Sequence, residues 1–369
     1  MSNTFGKMLK VTVFGQSHSE SIGVVIDGLP SGLELDINRI ISFMQRRVSS
    51  SPFTTKRREA DNFRIISGLV DNITCGASIC AVIDNTDTRS KDYDKLRDIP
   101  RPMHADYPAY IKYSGYNDIR GGGQFSGRMT APICFAGAVA EQFLSKFGIF
   151  AVSHISSIGN ISDDRLNNLF CDKELINILK TDNFPVINTK QKAAMLELIN
   201  TVASRGDSIG GAVETVIYGV PTGLGEPMFD SIESKISHNI FGIPAVKGID
   251  FGAGFDGINL FGSEYNDSFV VSENGSIETK TNNHGGILGG ISTGMPINYR
   301  AIIKPTPSIA LAQDSISLTE GINRKLVIEG RHDSCIVSRA VPSIEAMGLL
   351  AIADLIIEHR RDEILSEFR

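Results

Sequence analysis

Strand-like and helix-like stretches alternate through both halves of this 369-residue chain, with no Pro/Ser-rich linker, tandem repeat or low-complexity tract between them. A chain patterned this way has to pack helices against sheets, and the reading it supports is one large α/β-type unit over residues 1–369. Met8–Phe14 and Gly23–Asp27 are β-branched apolar runs around the polar turn Gly15–Ser21, predicting two strands that flank a functional loop. Asp36 caps a helix that carries Ile37, Ile40, Ile41, Met44 and Val48 at the 3.6 period. The basic, Ser-rich stretch Gln45–Glu59 reads as a loop, and Phe63–Val70 and Ser78–Asp84 as strands. Pro132 in a first turn and Gly148 after the last apolar residue bracket a helix over Ala131–Phe147. Thr189–Arg205, closed by Gly206, is another helix, and Asp230 with Glu233 resembles a capping box opening a third. Asn274-Gly275 between Phe269–Ser272 and Ile277–Lys280 is a hairpin signal. Ser343–Phe368 predicts a long amphipathic C-terminal helix, whose most apolar part, Gly348–Ile357, is too short to span a bilayer and carries Asp354. Two stretches show no legible period: Ser156–Asn188, expected as a polar surface excursion, and Asp87–Gly127, whose irregular length is of the kind that carries function.

Composition narrows the function. Lys and Arg number 36 against 42 Asp and Glu, a net charge of −6 that argues against nucleic acid or an acidic membrane as partner. Trp is absent, which excludes a Trp stacking platform. Glycine, at 36 residues, exceeds the usual ~7%, so the backbone turns tightly or approaches something closely at many points. Five cysteines without a C-x-x-C pair read as reduced core residues, and no His/Cys/carboxylate spacing asks for a metal. Residues Met1–Val11 lack the apolar stretch of a signal peptide, so a cytoplasmic protein is expected.

Two familiar motifs fail on context. Gly252-Ala-Gly254-Phe-Asp-Gly257 matches a dinucleotide fingerprint, but Ile258–Gly262 reads as strand where a phosphate-binding helix is needed. Gly290-Ile-Ser292-Thr-Gly294 matches a nucleophile elbow, yet it leads into the strand-like Ile297–Lys304. Other clusters carry more. His18, in Gly15-Gln16-Ser17-His18 at a strand end, is either a satisfied structural histidine or a proton donor. His104 stands in Arg101-Pro-Met-His104-Ala-Asp106, with Arg and Asp close enough to hold a charged ligand and tune the ring. Arg120-Gly-Gly-Gly-Gln-Phe-Ser126-Gly-Arg128 sets guanidiniums beside a run of backbone N–H groups: a phosphate or carboxylate cradle, or a glycine loop at a helix start with solvated arginines. Arg331-His332-Asp333 adds a third cationic cluster. Brought together, these would make a basic pocket in an acidic protein, suited to a small polyanion.

Gly15–Pro30 (GQSHSESIGVVIDGLP), Gly121–Ala140 (GGGQFSGRMTAPICFAGAVA) and Arg331–Met347 (RHDSCIVSRAVPSIEAM) resemble, in order, the three signature blocks of the chorismate synthase family. RREADNFRIISG, RPMHADY, GDSIGGAVE, GVPTGLGEP, GGILGGISTG and KPTPSI between them resemble it too, so the likeness runs from Thr4 to about Ile357. It implies an α+β fold, a β-α-β-α sandwich with helices packed between two sheets, assembled as a homotetramer. The reaction implied is the last step of the shikimate pathway: an anti-1,4-elimination of phosphate from 5-enolpyruvylshikimate 3-phosphate, giving chorismate. It requires reduced FMN (FMNH2) without net redox change, the flavin lending electron density as phosphate departs.

Carried over on matching positions, the resemblance implies that His18 protonates the leaving phosphate with Ser17 beside it, and that His104 stands near flavin N1. Asp333, with Ser126, would assist proton movement at N5. Arg46, Arg101, Arg128 and Arg331 would bind the substrate's anions, Arg46 also being a candidate NADPH contact. Flavin contacts would come from Gln124, Phe125, Ser126, Pro244, Ala245, Gly289, Lys304, Pro305, Thr306, Pro307, Ser308 and Arg331. Gln16, Met103, Gln124 and Phe125 depart from the usual family residues, and Pro52 stands where the family has an arginine. The last change points to an enzyme supplied with reduced flavin from elsewhere. Two other readings stand beside the lyase: a protein that binds flavin or a phosphorylated metabolite without chemistry, and a flavin reductase that oxidises NADPH.

Overall fold

The structure, a computed structural model, describes residues 3–48, 61–86, 96–166, 169, 171–273, 275–328 and 333–359. Its strands are β1 (Thr4–Phe5), β2 (Lys10–Gly15), β3 (Ser21–Asp27), β4 (Phe63–Ser67), β5 (Leu69–Val70), β6 (Ile73–Thr74), β7 (Ile79–Asp84), β8 (Phe150–Ile158), β9 (Ile161–Ser162), β10 (Gly211–Tyr218), β11 (Val246–Phe251), β12 (Phe269–Val271), β13 (Ile277–Thr279), β14 (Ile287–Leu288), β15 (Ile291–Ser292), β16 (Ile297–Ile303), β17 (Gln313–Ser317) and β18 (Ile322–Leu326). The helices are α1 (Ile37–Gln45), α2 (Asp106–Lys112), α3 (Thr130–Ser145), α4 (Lys173–Thr181), α5 (Thr189–Ser204), α6 (Ile232–Ile240), α7 (Gly262–Tyr265) and α8 (Val337–His359).

Two five-stranded antiparallel sheets frame the molecule, one in the order β1-β2-β3-β7-β4 and the other β11-β16-β10-β8-β9. Between them lie α3, packed on β2, β3 and β7, and α8, packed on β8, β10 and β16, with α1 and α6 beside them. The strand pattern alternates in and out, and the inner faces, Val11, Ile22, Val24 and Ile83 on one sheet and Ala151, Ile155, Val213 and Ile217 on the other, join these helices in one core. On the outer face of the second sheet, α4 covers Val152, Val216 and Tyr218 with Ile176 and Leu179, completing a fourth layer. This is the β-α-β-α sandwich.

The central helices pack closely because their contact is made of small residues. A Cβ on Gly137 of α3 would fall 2.2 Å from Ala346 Cβ of α8. Helix α8 is apolar on every side, the mark of a buried rather than a surface helix. It starts six residues before the expected Ser343 and is not amphipathic in its described part. At 23 residues, and against the expected short apolar run, it is long and apolar enough to cross a membrane; it is nevertheless almost wholly buried inside the protein and carries the buried acids Glu345 and Asp354.

Other expectations shift with equally local causes. Ser231, not Asp230, caps α6: its Oγ accepts from Ser234 N at 3.0 Å. The stretch 156–188 is not wholly irregular, since Asp172 caps the amphipathic α4. Residues 258–262 form a 3₁₀ turn and the start of α7 rather than a strand. Within 87–127, α2 is a short helix whose period is hidden by Pro108 and three tyrosine-rich positions around it. The paired β12 and β13 flank Gly275 as the hairpin signal required, with Asn274 itself outside the described residues. Cys134 and Cys335 are buried as expected, whereas Cys75 is exposed.

Candidate active site

The organising feature is the turn at residues 121–123, where three glycines in succession hold φ at 58°, 83° and 54°, a conformation any side chain resists. Space forbids side chains as well. A Cβ on Gly121 would sit 2.5 Å from Ser17 Oγ and 2.8 Å from His18 Nε2, and one on Gly122 would sit 3.3 Å from His104 Nε2. Ser17 N donates to Gly123 O at 3.1 Å, tying the loop after β2 to this turn. Two imidazoles more than eighty positions apart in sequence therefore both abut one bare turn of backbone.

Each histidine is set by its surroundings. His18 is buried, and it lies close enough to Asp118 to help hold that carboxyl low. Burial works against ionisation of Asp118, but hydrogen bonds from Arg120 (Nε at 2.8 Å, NH2 at 2.9 Å, N at 3.0 Å) outweigh it. His104 Nδ1 is 2.5 Å from Asp106 Oδ1. Burial lowers the His104 pKa below 6.5, Arg101 and Lys304 push it further down, and Asp106 opposes them. Asp106 is itself held far below the carboxylate range: burial resists, but Arg101 and His104 win.

From His104 the site can be followed round. Lys304, half-buried at the end of β16, bears on His104 electrostatically, and its own pKa is lowered by burial and by Lys247. Its backbone N donates to Ala245 O at 2.9 Å, and Ala245 has a φ of 74°. Thr306 Oγ1 donates to Asp333 O at 2.8 Å, and Ser208 Oγ to Thr306 O at 2.8 Å, strapping residues 304–308 to the approach of α8. Asp333 accepts from Arg339 NH1 at 3.0 Å. Burial lowers the Arg339 pKa, as does nearby Arg47, while Asp333 and Asp61 oppose. Arg47 donates to Asp61 Oδ2 (Nε 2.8 Å, NH2 2.5 Å), and Arg128 NH1 pairs with Asp61 Oδ1. Arg128 Nε reaches Asn85 Oδ1 at 2.9 Å, and Asn85 Nδ2 donates to Gln16 O and Ser19 O, back in the loop that holds His18. The circuit closes on itself.

Three of the arginines named from the sequence are committed to carboxylates. Arg46 is not in the circuit: it points between α1 and α8, bidentate to the fully buried Glu345 at 2.8 Å twice and stacked over Phe43. Arg101 is locked to Asp106 by Nε at 2.7 Å and NH2 at 2.9 Å, and Arg128 shares Asp61 with Arg47. Arg331 and His332 lie outside the described residues, as does Pro52. Arg47 and Arg339, which the sequence did not single out, join this network: Arg47 and Arg128 both pair with Asp61, and Arg339 pairs with Asp333. Their signal was the ends of helices, Arg47 just after α1 and Arg339 in the first turn of α8. Gln124 Nε2 donates to Tyr113 OH at 3.1 Å, and Ser126 Oγ accepts from Arg128 N, capping the turn that leads into α3. Gly289 is exposed with an open Cβ direction, and Pro244 adjoins Ala245. The serine of the elbow-like motif, Ser292, is structural: it is buried and donates to Pro221 O at 2.5 Å.

Fold and site together define an α+β protein of two sheets filled by helices, in which His18 and His104 lie against one glycine turn. Comparison with known proteins makes this specific. The family model described as chorismate synthase matches residues 9–357. Chorismate synthase of Dehalococcoides mccartyi is 45% identical over 358 residues, covering 96% of each chain. That of Thermococcus gammatolerans is 42% identical over 363 residues, covering 96% of this chain and 98% of the relative. A crystal structure of chorismate synthase superposes with a TM-score of 0.75 at 26% identity, covering 99% of both chains. The chain belongs to the chorismate synthase family, enzymes of the lyase class that catalyse the last step of the shikimate pathway.

Proposed function

We propose that the glycine turn at 121–123 is the floor of the active site, on which 5-enolpyruvylshikimate 3-phosphate and reduced FMN lie between His18 and His104. The observation that carries this reading is that both imidazoles crowd one side-chain-free turn, which a single methyl group would obstruct. His18, beside Ser17 and near Asp118, is placed to donate a proton to the departing phosphate. Asp333, its carboxylate held by Arg339 and its backbone by Thr306, is a proton carrier. The Arg47–Arg128–Arg339 group stabilises the substrate's negative charge, with Arg331 as a further anion ligand, while Arg101 and Arg46 serve carboxylates of the chain.

The residues fit a reduced flavin. A flat ring needs backbone without side chains, which residues 121–123 supply, and an anionic phosphate needs cations such as Lys304 and Lys247. Gln124–Ser126, Pro244, Ala245, Gly289 and Lys304–Ser308 would hold it. When bound, the flavin supplies transient electron density to the allylic system. Arg46 is spent on Glu345, which supports the reading of an enzyme supplied with reduced flavin rather than one that binds NADPH. The chain works as a single domain in the cytoplasm and as a homotetramer. Exposed Phe229, Phe255, Ile258, Phe261, Phe269 and Val271 support the assembly, since large apolar side chains left on the outside are available to an interface.

The test is anaerobic. Mixed with photoreduced FMN and the substrate, the protein releases inorganic phosphate and chorismate in equal amounts; no phosphate release under those conditions removes the lyase reading. With NADPH and oxidised FMN instead, no turnover is expected, and turnover would mark a bifunctional enzyme.

A further inference from the structure

Arg101, Asp106 and His104 form a closed triangle. Asp106 Oδ1 receives His104 Nδ1 at 2.5 Å and Arg101 NH2 at 2.9 Å, while Asp106 Oδ2 receives Arg101 Nε at 2.7 Å and Arg101 N at 3.0 Å. The 3.1 Å separation of Arg101 NH2 from His104 Nδ1 follows from that arrangement: two donors converge on one oxygen. A guanidinium only donates and an ionised carboxylate only accepts, so the atom of His104 that faces Asp106 must carry a hydrogen. We infer that Asp106, locked by Arg101, is a positioning residue that fixes His104 as the Nδ1–H tautomer, so that a bare Nε2 meets the glycine turn as a hydrogen-bond acceptor. Arg101 thereby acts two steps from the substrate, through Asp106, and is not an anion ligand.

Three features support the assignment. Asp106 opens α2 and Arg101 precedes it, so both are anchored on ordered backbone, and both are buried. Among the described residues, the charged groups that bear on the His104 ring are Asp106, Arg101 and Lys304. Two cations and burial outweigh one carboxylate, so the ring is neutral near pH 7 and its single proton must choose a nitrogen. The tautomer favoured for an isolated histidine in water is the opposite one, Nε2–H (a general preference of the free imidazole side chain), so the orientation has to be imposed by a partner such as Asp106.

The inference rests on the reading of His104 as a site residue only for its consequence, not for its test. Nitrogen NMR of histidine-labelled protein, with the His104 signal assigned by its loss in His104→Gln, reads the tautomer without flavin or substrate. The expected result is an Nδ1–H tautomer in the wild type that converts wholly or partly to Nε2–H in Asp106→Asn. An Nε2–H tautomer in the wild type, or one unmoved by Asp106→Asn, overturns it. Should that variant not fold, the charge-free pair Arg101→Met with Asp106→Asn serves in its place, with the same two outcomes. In turnover, Asp106→Asn is expected to lower kcat roughly 10- to 100-fold with little change in KM. It should add nothing in a His104→Gln background, whereas additive losses would mean that Asp106 acts elsewhere. A wild-type protein that releases no phosphate defeats the lyase reading and leaves the NMR result to decide this one.

Discussion

Around His18, Gly121 and His104, what is left out shapes the turn as much as what is present. Gly121 has no side chain, and the φ of 58° together with the 2.5 Å approach to Ser17 Oγ explains why. Gly121→Ala is expected to lower turnover at least tenfold and to destabilise the fold by about 1–3 kcal/mol, read as a fall in both kcat and melting temperature. His18→Ala should lower kcat by roughly 10²-fold or more while flavin affinity is kept; an unchanged kcat would assign the proton to another group. The sequence made both histidines and the glycine run visible, because those residue types are rare in such company. It did not reveal which arginines face the site. Arg46, Arg101 and Arg128 look alike as letters, but the fold gives each a carboxylate from a different part of the chain (Glu345, Asp106 and Asp61), and only three-dimensional pairing shows it.

Helices and strands tell the same story one level up. Helix α5 behind Asn188 was legible to within a residue, and α1 starts at its expected cap, Asp36, but ends at Gln45, before Val48. Helix α4 was missed because it is nine residues long and embedded in a polar stretch, and α8 was misjudged because a helix buried on every side has no amphipathic signature. The Arg46–Glu345 pair that joins α1 to α8 yields a test. Arg46→Met should cost about 3–5 kcal/mol by stranding a buried carboxylate, and adding Glu345→Leu should restore most of the loss. If Arg46→Met instead raised KM for the substrate with stability unchanged, Arg46 would be a substrate ligand. A second test concerns the excursion that carries α4. Fully buried His154 lies 3.0 Å from Asp163 and 2.9 Å from Glu214, so it clasps the segment after β8 to the sheet. Burial lowers its pKa, but the two carboxylates more than reverse this and hold it above 6.5. A raised folded value means that the contribution is complete below pH 6.5 and fades as pH climbs through the folded value. The two acids, both lowered, add stability that fades only in strong acid. Proteolytic nicking within 161–188 should therefore be slowest below pH 6.5 and speed up as pH rises above it, and His154→Gln should abolish that pH dependence.

At the scale of the molecule, two sheets clamp a helical filling, and the segments that meet at the site come from the first strands, the middle of the chain and the approach to the last helix. The alternation of patterns made a mixed α/β unit legible, but the layer order was not: periodicity says which face of an element is buried, never against what. In the proposed homotetramer, the exposed apolar side chains form the contacts between subunits. Replacing Phe255 and Ile258 together by Asp should dissociate the proposed tetramer, as seen by light scattering; a monomeric wild type would refute that assembly. Convergence of His18 and His104 on one ligand site is the claim on which the rest depends, and a crystal structure with oxidised FMN and 5-enolpyruvylshikimate 3-phosphate tests it most directly. The expected density sets the substrate's phosphate beside His18 and the flavin ring against residues 121–123 and His104, whereas ligands bound anywhere that leaves either imidazole uncontacted would contradict it.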